Sequence, residues 1–269
     1  MTSAARSRWF QPLLAIIVPL LLVVLWQLGV QSSAERAAII PPPSRVLEAW
    51  YIWVFGDNPM GLNAYIGTWL SNVQYSAIRV AKGFSLAVVV AVPLGLLIGW
   101  SRLFGTLIDP MVQGLRPIPI TAWLPFSIAV FGIQEMGSVF LIFLGGFYAI
   151  VVNTTQGARD VERNLVRAAL MMGAQPYQLL WRVVLPAAMP SIFTGMRIGL
   201  GIAWTAVIVA EMVAVKSGLG YVLWDAYYIG RMDIVLADMV SIGLMGFISD
   251  RLIVQVERRV LRWRILQSH

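Results

Sequence analysis

Three ionisable side chains inside long apolar runs are the sharpest candidates for chemistry. Arg116 lies among Pro117, Pro119 and Pro125 in the run Leu103 to Phe131, and Arg197 and Glu211 lie in the run from about Pro190 to Val213. A charge at the centre of a bilayer costs roughly 2.5–3.5 kcal/mol on insertion scales, so such residues face a bundle interior or water. A guanidinium beside proline-freed backbone groups can attract an anion, or it can cap the carbonyls of a broken helix, and both readings of Arg116 stand at this point. Arg197 and Glu211 are fourteen residues apart, roughly 21 Å along a helix rising about 1.5 Å per residue, so they do not pair. Each is expected to fix helix packing or an end of a pathway. Other chemistry is poorly supplied. The only histidine is His269, cysteine is absent, no carboxylates cluster, and no G-x-x-x-x-G-K-[ST] phosphate loop occurs. The chain is therefore expected not to be an enzyme and to carry no cofactor or metal of its own.

The elements that position these residues follow from composition. Hydrophobic residues make up 59% and charged residues 12%, with mean hydropathy +0.77, against about 25% charged in globular proteins. This is an all-α integral membrane protein, because the run lengths match helices rather than barrel strands. The net charge of +7 does not point to nucleic acid, since the arginines flank apolar runs.

About six spans are expected: Leu13–Val30, Gly83–Ser101, a kinked Leu103–Phe131, Met136–Ala158, about Pro190–Val213 and about Leu236–Val256. A helix from Thr68, carrying Arg79 and Lys82, runs directly into the second span. Arg6 and Arg8 precede the first run, which is too long for a signal-peptide core and reads as a retained span with interfacial Trp9 and Trp26. Arg102, Arg159, Arg163, Arg167, Arg182, Arg258, Arg259, Arg262 and Arg264 flank one side, and only Lys216 and Arg231 lie in the short connections of the other. The positive-inside rule then puts both termini in the cytoplasm. Residues 31–65 read as a polar, irregular outer loop with Pro41 to Pro43 extended and a turn at Gly56 to Pro59. Residues 216–233 read as an outer segment with an interfacial belt of Tyr221, Trp224, Tyr227 and Tyr228. Asp250 and Arg251 interrupt the sixth span near its inner end, where they can snorkel or pair. The chain thus divides into an N-terminal tail, first span and outer loop (1–65), a transmembrane core (66–256) and a basic cytoplasmic tail (257–269).

A polar island, residues 159–190, separates the fourth and fifth spans. Asp160 is expected to cap a short helix with Val161, Leu165, Ala168, Ala169 and Met172 on its apolar side, and Gly173 ends it. Pro176 suits the first turn of a second short helix bearing Tyr177, Leu179, Leu180 and Trp181, with Pro186 and Pro190 punctuating the return to apolar sequence. The result is a helix-turn-helix displayed at the membrane surface. Beyond it, Gly195, Gly199 and Ala203 recur every fourth residue, a stripe for close helix approach.

Ala168-Ala169, three residues, Gly173, nine residues, Val183, one residue, Leu185-Pro186 resembles the EAA loop of permease subunits of ABC importers. Arg167 stands at the family's glutamate and Val183 at its isoleucine. Further stretches extend the resemblance to the nitrate, taurine, alkanesulfonate, bicarbonate and cyanate branch. They are Leu115-Arg116-Pro117-Ile118-Pro119, Ala122-Trp123-Leu124-Pro125, Phe131-Gly132, Gly195-x-Arg197-x-x-x-Gly201-x-Ala203-Trp204 and Ala210-Glu211-Met212. The resemblance implies a type I importer permease fold with a cytoplasmic coupling helix, in the bacterial inner membrane. It implies docking of Ala168, Ala169, Gly173, Ala174, Pro176, Tyr177, Leu180, Leu185 and Pro186 onto an ATPase subunit, with only the docking role, not a salt bridge, transferred to the Arg167 position. It further implies a second permease copy, two cytoplasmic ATPase subunits that use ATP and Mg, and a periplasmic binding protein that delivers a small anion. Arg116, Trp123, Arg197, Trp204, Thr205 and Glu211 are then the pathway residues. A self-contained secondary anion transporter or channel is the alternative, disfavoured by the lack of an internal repeat, and an assembly subunit is a third.

Overall fold

The computed structural model describes residues 4–31, 40–56 and 65–262, with side chains from residue 17 onward. Among these residues every regular element is helical. Along the chain these are α1 (Ala4–Gln31), α2 (Pro43–Phe55), α3 (Trp69–Trp100), α4 (Arg102–Leu107), α5 (Asp109–Leu115), α6 (Leu124–Phe131), α7 (Glu135–Arg159), α8 (Arg163–Met171), α9 (Pro176–Leu179), α10 (Leu185–Ala214), α11 (Leu219–Tyr228) and α12 (Met232–Val260). A 3-10 turn, Ile120–Trp123, leads into α6, and a π turn, Leu180–Val184, joins α9 to α10.

Helices α3, α7, α10 and α12 are each long and apolar enough to cross a membrane. Helices α4 and α5 make a pair with the 3-10 turn and α6 that is bent by 93° at the intervening break. Pro117 and Pro119 lie in that break, where their missing N–H groups cannot continue a helix, so the kink expected in the third span is present. Among the described residues this gives four crossings, or five with the bent pair. In α1 the described apolar stretch is Ile17–Gln31; Leu13, Arg6, Arg8 and Trp9 lie outside the described side chains. Residues 57–59 of the expected turn, Arg264 and His269 lie outside the described residues as well.

Residues 31–65 are not irregular throughout. Pro42, extended at φ −68° and ψ 153°, precedes Pro43 at the start of α2, and Val46, Ala49 and Trp53 form its buried side. Proline is compatible with a first helical turn, so the proline run marks a helix start as well as an extended lead-in.

The chain forms two compact units, Met1–Leu70 with Val222–Val240, and Ser71–Tyr221 with Ser241–His269. In the first, Trp53 is fully buried and its Nε1 donates to Thr68 Oγ1 at 3.2 Å. The Tyr65 hydroxyl donates to Asp225 Oδ2 at 2.6 Å.

The second unit is built on close approach of α3, α7 and α10. A Cβ added to Gly83, Gly95 or Gly99 of α3 would meet Ile142, Thr154 or Ala158 of α7 below 3 Å. On α10, a Cβ added to Gly195 or Gly199 would come to 2.8 Å from Asn153 and 3.1 Å from Ala149, or to 3.0 Å from Gly146, all on α7. Helices without hydrophobic driving force between them gain van der Waals contact this way. Outward-facing Leu86, Val89, Phe247 and Leu252 are exposed, as lipid-facing positions require.

Candidate functional site

Arg116 closes α5, its backbone N–H bonded to the Val112 carbonyl at 3.0 Å. Its exposed side chain has no hydrogen-bond or ion-pair partner among the described residues and borders a cavity of about 260 Å³. The remaining wall comes from the segment after the break (Ile118, Ile120), from α7 (Leu144, Tyr148, Asn153) and from α10 (Ile198, Ile202). The broken span thus carries a cation and two isoleucines to a shallow hollow between two close-packed helices. Tyr148 and Asn153 are the polar lining groups that sequence reasoning missed; an asparagine in the apolar run Met136–Ala158 was the available signal.

The other expected pathway residues are held elsewhere. Arg197 donates from Nε to Asp250 Oδ1 at 2.8 Å and from Nη2 to Oδ2 at 3.2 Å, a two-pronged clamp between α10 and α12. This accounts for the charge that interrupts the last span. About two helical turns further along α10, Trp204 Nε1 donates to Ser249 Oγ at 2.9 Å. Thr205, exposed, donates to its own helix at the Gly201 carbonyl, 3.3 Å away. Trp123 packs edge-on against Phe126 and Phe140, centroids 5.7 and 6.5 Å apart. Glu211 is fully buried. Its Oε1 accepts from Arg79 Nη1 at 2.7 Å, and its Oε2 accepts from Ser76 Oγ at 2.8 Å and the Gly220 N–H at 3.0 Å. Sequence distance excluded an Arg197–Glu211 pair but did not reveal either true partner.

The connection between α7 and α10 is the second candidate surface. Asp160 does not cap α8: it stands at the end of α7, its N–H bonded to the Gln156 carbonyl and its carboxylate accepting from Gln156 Nε2 at 2.9 Å. Glu162 is the N-cap instead, without a side-chain bond. Three residues, Asp160, Val161 and Glu162, separate the end of α7 from the start of α8. The chain turns at Gly173, where φ is +81°; the Gly173 and Ala174 N–H groups return to the Leu170 and Ala169 carbonyls at 2.9 and 3.0 Å. Glycine takes this left-handed conformation without the strain a Cβ brings. Pro176 opens α9 as expected, preceded by a reciprocal capping box between Gln175 and Gln178.

Helix α9 is not a separate short helix. Its path continues through the π turn, in which the Leu185 N–H reaches back five residues to the Leu180 carbonyl, and on into α10 as one apolar stretch, Pro176–Ala214. Pro186 sits in the first turn of α10 and Pro190 inside it, and neither ends the helix; the wider π turn Leu180–Val184 accommodates the lost donor and ring of Pro186.

The expected apolar side of α8 is only partly covered. Ala169 and Leu179 are buried and Ala168 half-buried, while Met171 and Met172 are 84% and 82% exposed and Tyr177 and Trp181 60% and 59%. Between α8 and α9 a cleft of about 290 Å³ is lined by Ala169, Met172, Gly173, Ala174, Gln178 and Arg182. Leu180 and Leu185 turn the other way, into a core cluster with Leu96, Ala158 and Val184. Surface and membrane core therefore meet within one continuous helix. At the base of the connection, Arg159 Nη2 donates to Asp109 Oδ2 at 3.0 Å, joining the end of α7 to the first residue of α5.

Residues 91–262 match the family described as binding-protein-dependent transport system inner membrane component. The chain is similar to a putative ABC transporter permease protein of Methanocaldococcus jannaschii, 40% identical over 93% of this chain and 92% of that one. It is 35% identical to a nitrate import permease protein of Synechocystis sp., over 93% and 89% of the two chains. It is 32% identical to a bicarbonate transport system permease protein of Synechococcus elongatus, over 95% and 93%. In fold it resembles a chain of the MetNI methionine ABC transporter in an inward-facing conformation, with TM-score 0.63 and 20% identity, over 71% of this chain and 95% of that chain.

Proposed function

Because the chain belongs to the family of binding-protein-dependent transport system inner membrane components, we propose that it forms the translocation pathway of an ATP-driven importer for a small anion, taurine, another sulfonate or a nitrate-like ion. A periplasmic binding protein delivers the anion, two copies of this chain make the pathway, and two cytoplasmic ATPase subunits that bind ATP and Mg drive it. The protein spans the bacterial inner membrane several times with both termini in the cytoplasm, the side flanked by Arg102, Arg159, Arg163, Arg167 and Arg182.

The observation that carries this reading is the exposed apolar surface of Met171, Met172, Tyr177 and Trp181 around the α8–α9 cleft. Large apolar side chains left in water at a helix pair mark an interaction site. Continuity of α9 with α10 lets a partner that grips the cleft pull directly on a membrane helix packed along α7. Movement of the ATPase then tilts α10 against α7 and opens the Arg116 cavity to one side or the other.

The test is affinity purification from mild detergent with co-expressed neighbouring proteins, followed by ATPase and uptake assays. An ATPase that copurifies and is stimulated by a loaded binding protein is the expected result. Gly173→Val should abolish ATP-driven uptake with membrane insertion intact, since it strains the turn that shapes the cleft. Recovery of this chain alone, with uptake independent of ATP, would instead identify a self-contained transporter or channel.

A further inference from the structure

The cavity at Arg116 has one cation, no carboxylate, and walls that are mostly aliphatic. Its polar lining groups are the Arg116 guanidinium, without a partner among the described residues, the Tyr148 hydroxyl likewise, and Asn153, which gives one amide N–H to the Ala149 carbonyl at 2.8 Å and keeps the other. Ile118, Ile120, Ile198 and Ile202 line the same cavity. A bare inorganic oxyanion has hydrogen-bond acceptors on every side, so aliphatic walls strip water from it and return nothing. An anion with an acidic head and an aliphatic body matches both halves: the head takes the guanidinium and neighbouring N–H and O–H donors, and the body takes the isoleucines.

Building on the permease reading above, we infer that the Arg116 cavity selects organic anions, short alkanesulfonates or carboxylates of that shape, over nitrate and bicarbonate. Arg116 binds the head; Ile120 and Ile202 set the preference for the body.

The experiment uses the purified complex of permease and ATPase in lipid nanodiscs, without binding protein, titrated calorimetrically with methane-, ethane-, butane- and hexanesulfonate and with nitrate. Each added methylene should tighten binding about three- to fourfold until the cavity is full, as expected for burial of a CH₂ group. Nitrate should bind more weakly than ethanesulfonate. Arg116→Gln should remove binding of the whole series, which separates the cavity from partition into lipid. Ile202→Asn should flatten the chain-length dependence of the binding that remains, whereas general unfolding would remove binding of the whole series. The inference is overturned by an affinity independent of chain length, by nitrate binding as tightly as butanesulfonate, by Arg116→Gln binding like wild type, or by no binding of any probe. Copurification of the ATPase is scored separately: a complex that assembles and ignores chain length refutes the organic-anion assignment and leaves the permease reading standing.

Discussion

Glu211 Oε1 on α10 lies 2.7 Å from Arg79 Nη1 on α3, and both side chains are buried. The pair is the centre of a larger junction. Arg79 also donates to the Ser217 carbonyl and hydroxyl at 2.9 and 2.7 Å, Ser76 Oγ accepts the Leu219 N–H at 2.9 Å, and Asn72 Oδ1 accepts the Gly218 N–H at 3.0 Å. The segment that leaves α10 is thereby fastened to α3. Gly218, at φ +105°, has no room for a Cβ because the Glu211 carboxylate occupies that space.

Removing one charge leaves the other buried and unpaired. Glu211→Ala is expected to destabilise the folded chain by about 3–5 kcal/mol, and Arg79→Ala similarly. The double variant Arg79→Met with Glu211→Leu should recover much of that loss, since it leaves no uncompensated charge. Thermal unfolding of the detergent-solubilised protein, followed by size-exclusion, measures all three; equal losses in single and double variants would show that the two residues do not act as a pair.

Two glycines of α10 make a matched comparison. A Cβ at Gly199 would come within 3.0 Å of the Gly146 carbonyl on α7, whereas one at Gly201 meets nothing within 4 Å. Gly199→Ala should therefore cost roughly 1–3 kcal/mol by forcing the helices apart, and Gly201→Ala should be neutral or slightly stabilising. The same melting assay reads both, and similar behaviour of the two variants would contradict the close α7–α10 packing.

How far the chain could be read beforehand follows from what sets each feature. Spans such as Glu135–Arg159 were legible because a membrane helix announces itself by length and hydropathy. The kink after Arg116 was legible because proline removes a donor wherever it sits. The EAA-type loop was legible as a spacing, but its joining to α10 was not. Pro186 and Pro190 read as breaks, yet the helix runs through both, and the π turn that accommodates Pro186 is a property of the neighbouring backbone. Partners separated by 53 or 132 residues, Asp250 for Arg197 and Arg79 for Glu211, depend on which helix faces stack, and one sequence carries no direct record of that.

The Arg159–Asp109 pair joins the foot of the α8–α9 connection to α5, whose end is Arg116. Both side chains are partly exposed, so the bond itself is worth only about 0.2–1 kcal/mol. In the proposed mechanism it ties the α8–α9 connection to α5. Asp109→Asn is expected to leave melting within about 1 kcal/mol of wild type and to lower uptake per ATP hydrolysed, because motion at the cleft is less firmly passed to the cavity. Uptake and hydrolysis measured together in proteoliposomes test this, with Arg159→Asp/Asp109→Arg as the restoring exchange.

Arg167 stands where the family carries glutamate, on the exposed side of α8 one turn from Arg163, and neither makes an ion pair among the described residues. Arg182 borders the cleft from the other helix. Arg163 and Arg167 thus stand one turn apart on α8 while Arg182 borders the cleft beside Met172, and like charges one turn apart repel until something neutralises them. The partner groove is expected to offer carboxylates. Assembly of permease with its ATPase should then weaken as salt rises from about 0.05 to 0.5 M, with the steepest loss while the Debye length shrinks from about 14 to 4 Å. Arg167→Glu should reduce recovered ATPase about tenfold, the equivalent of about 1.4 kcal/mol, and Arg167→Lys should retain it. Pull-down of the co-expressed ATPase across a salt series measures both, and recovery indifferent to salt and to Arg167→Glu would show that the apolar surface alone holds the partner.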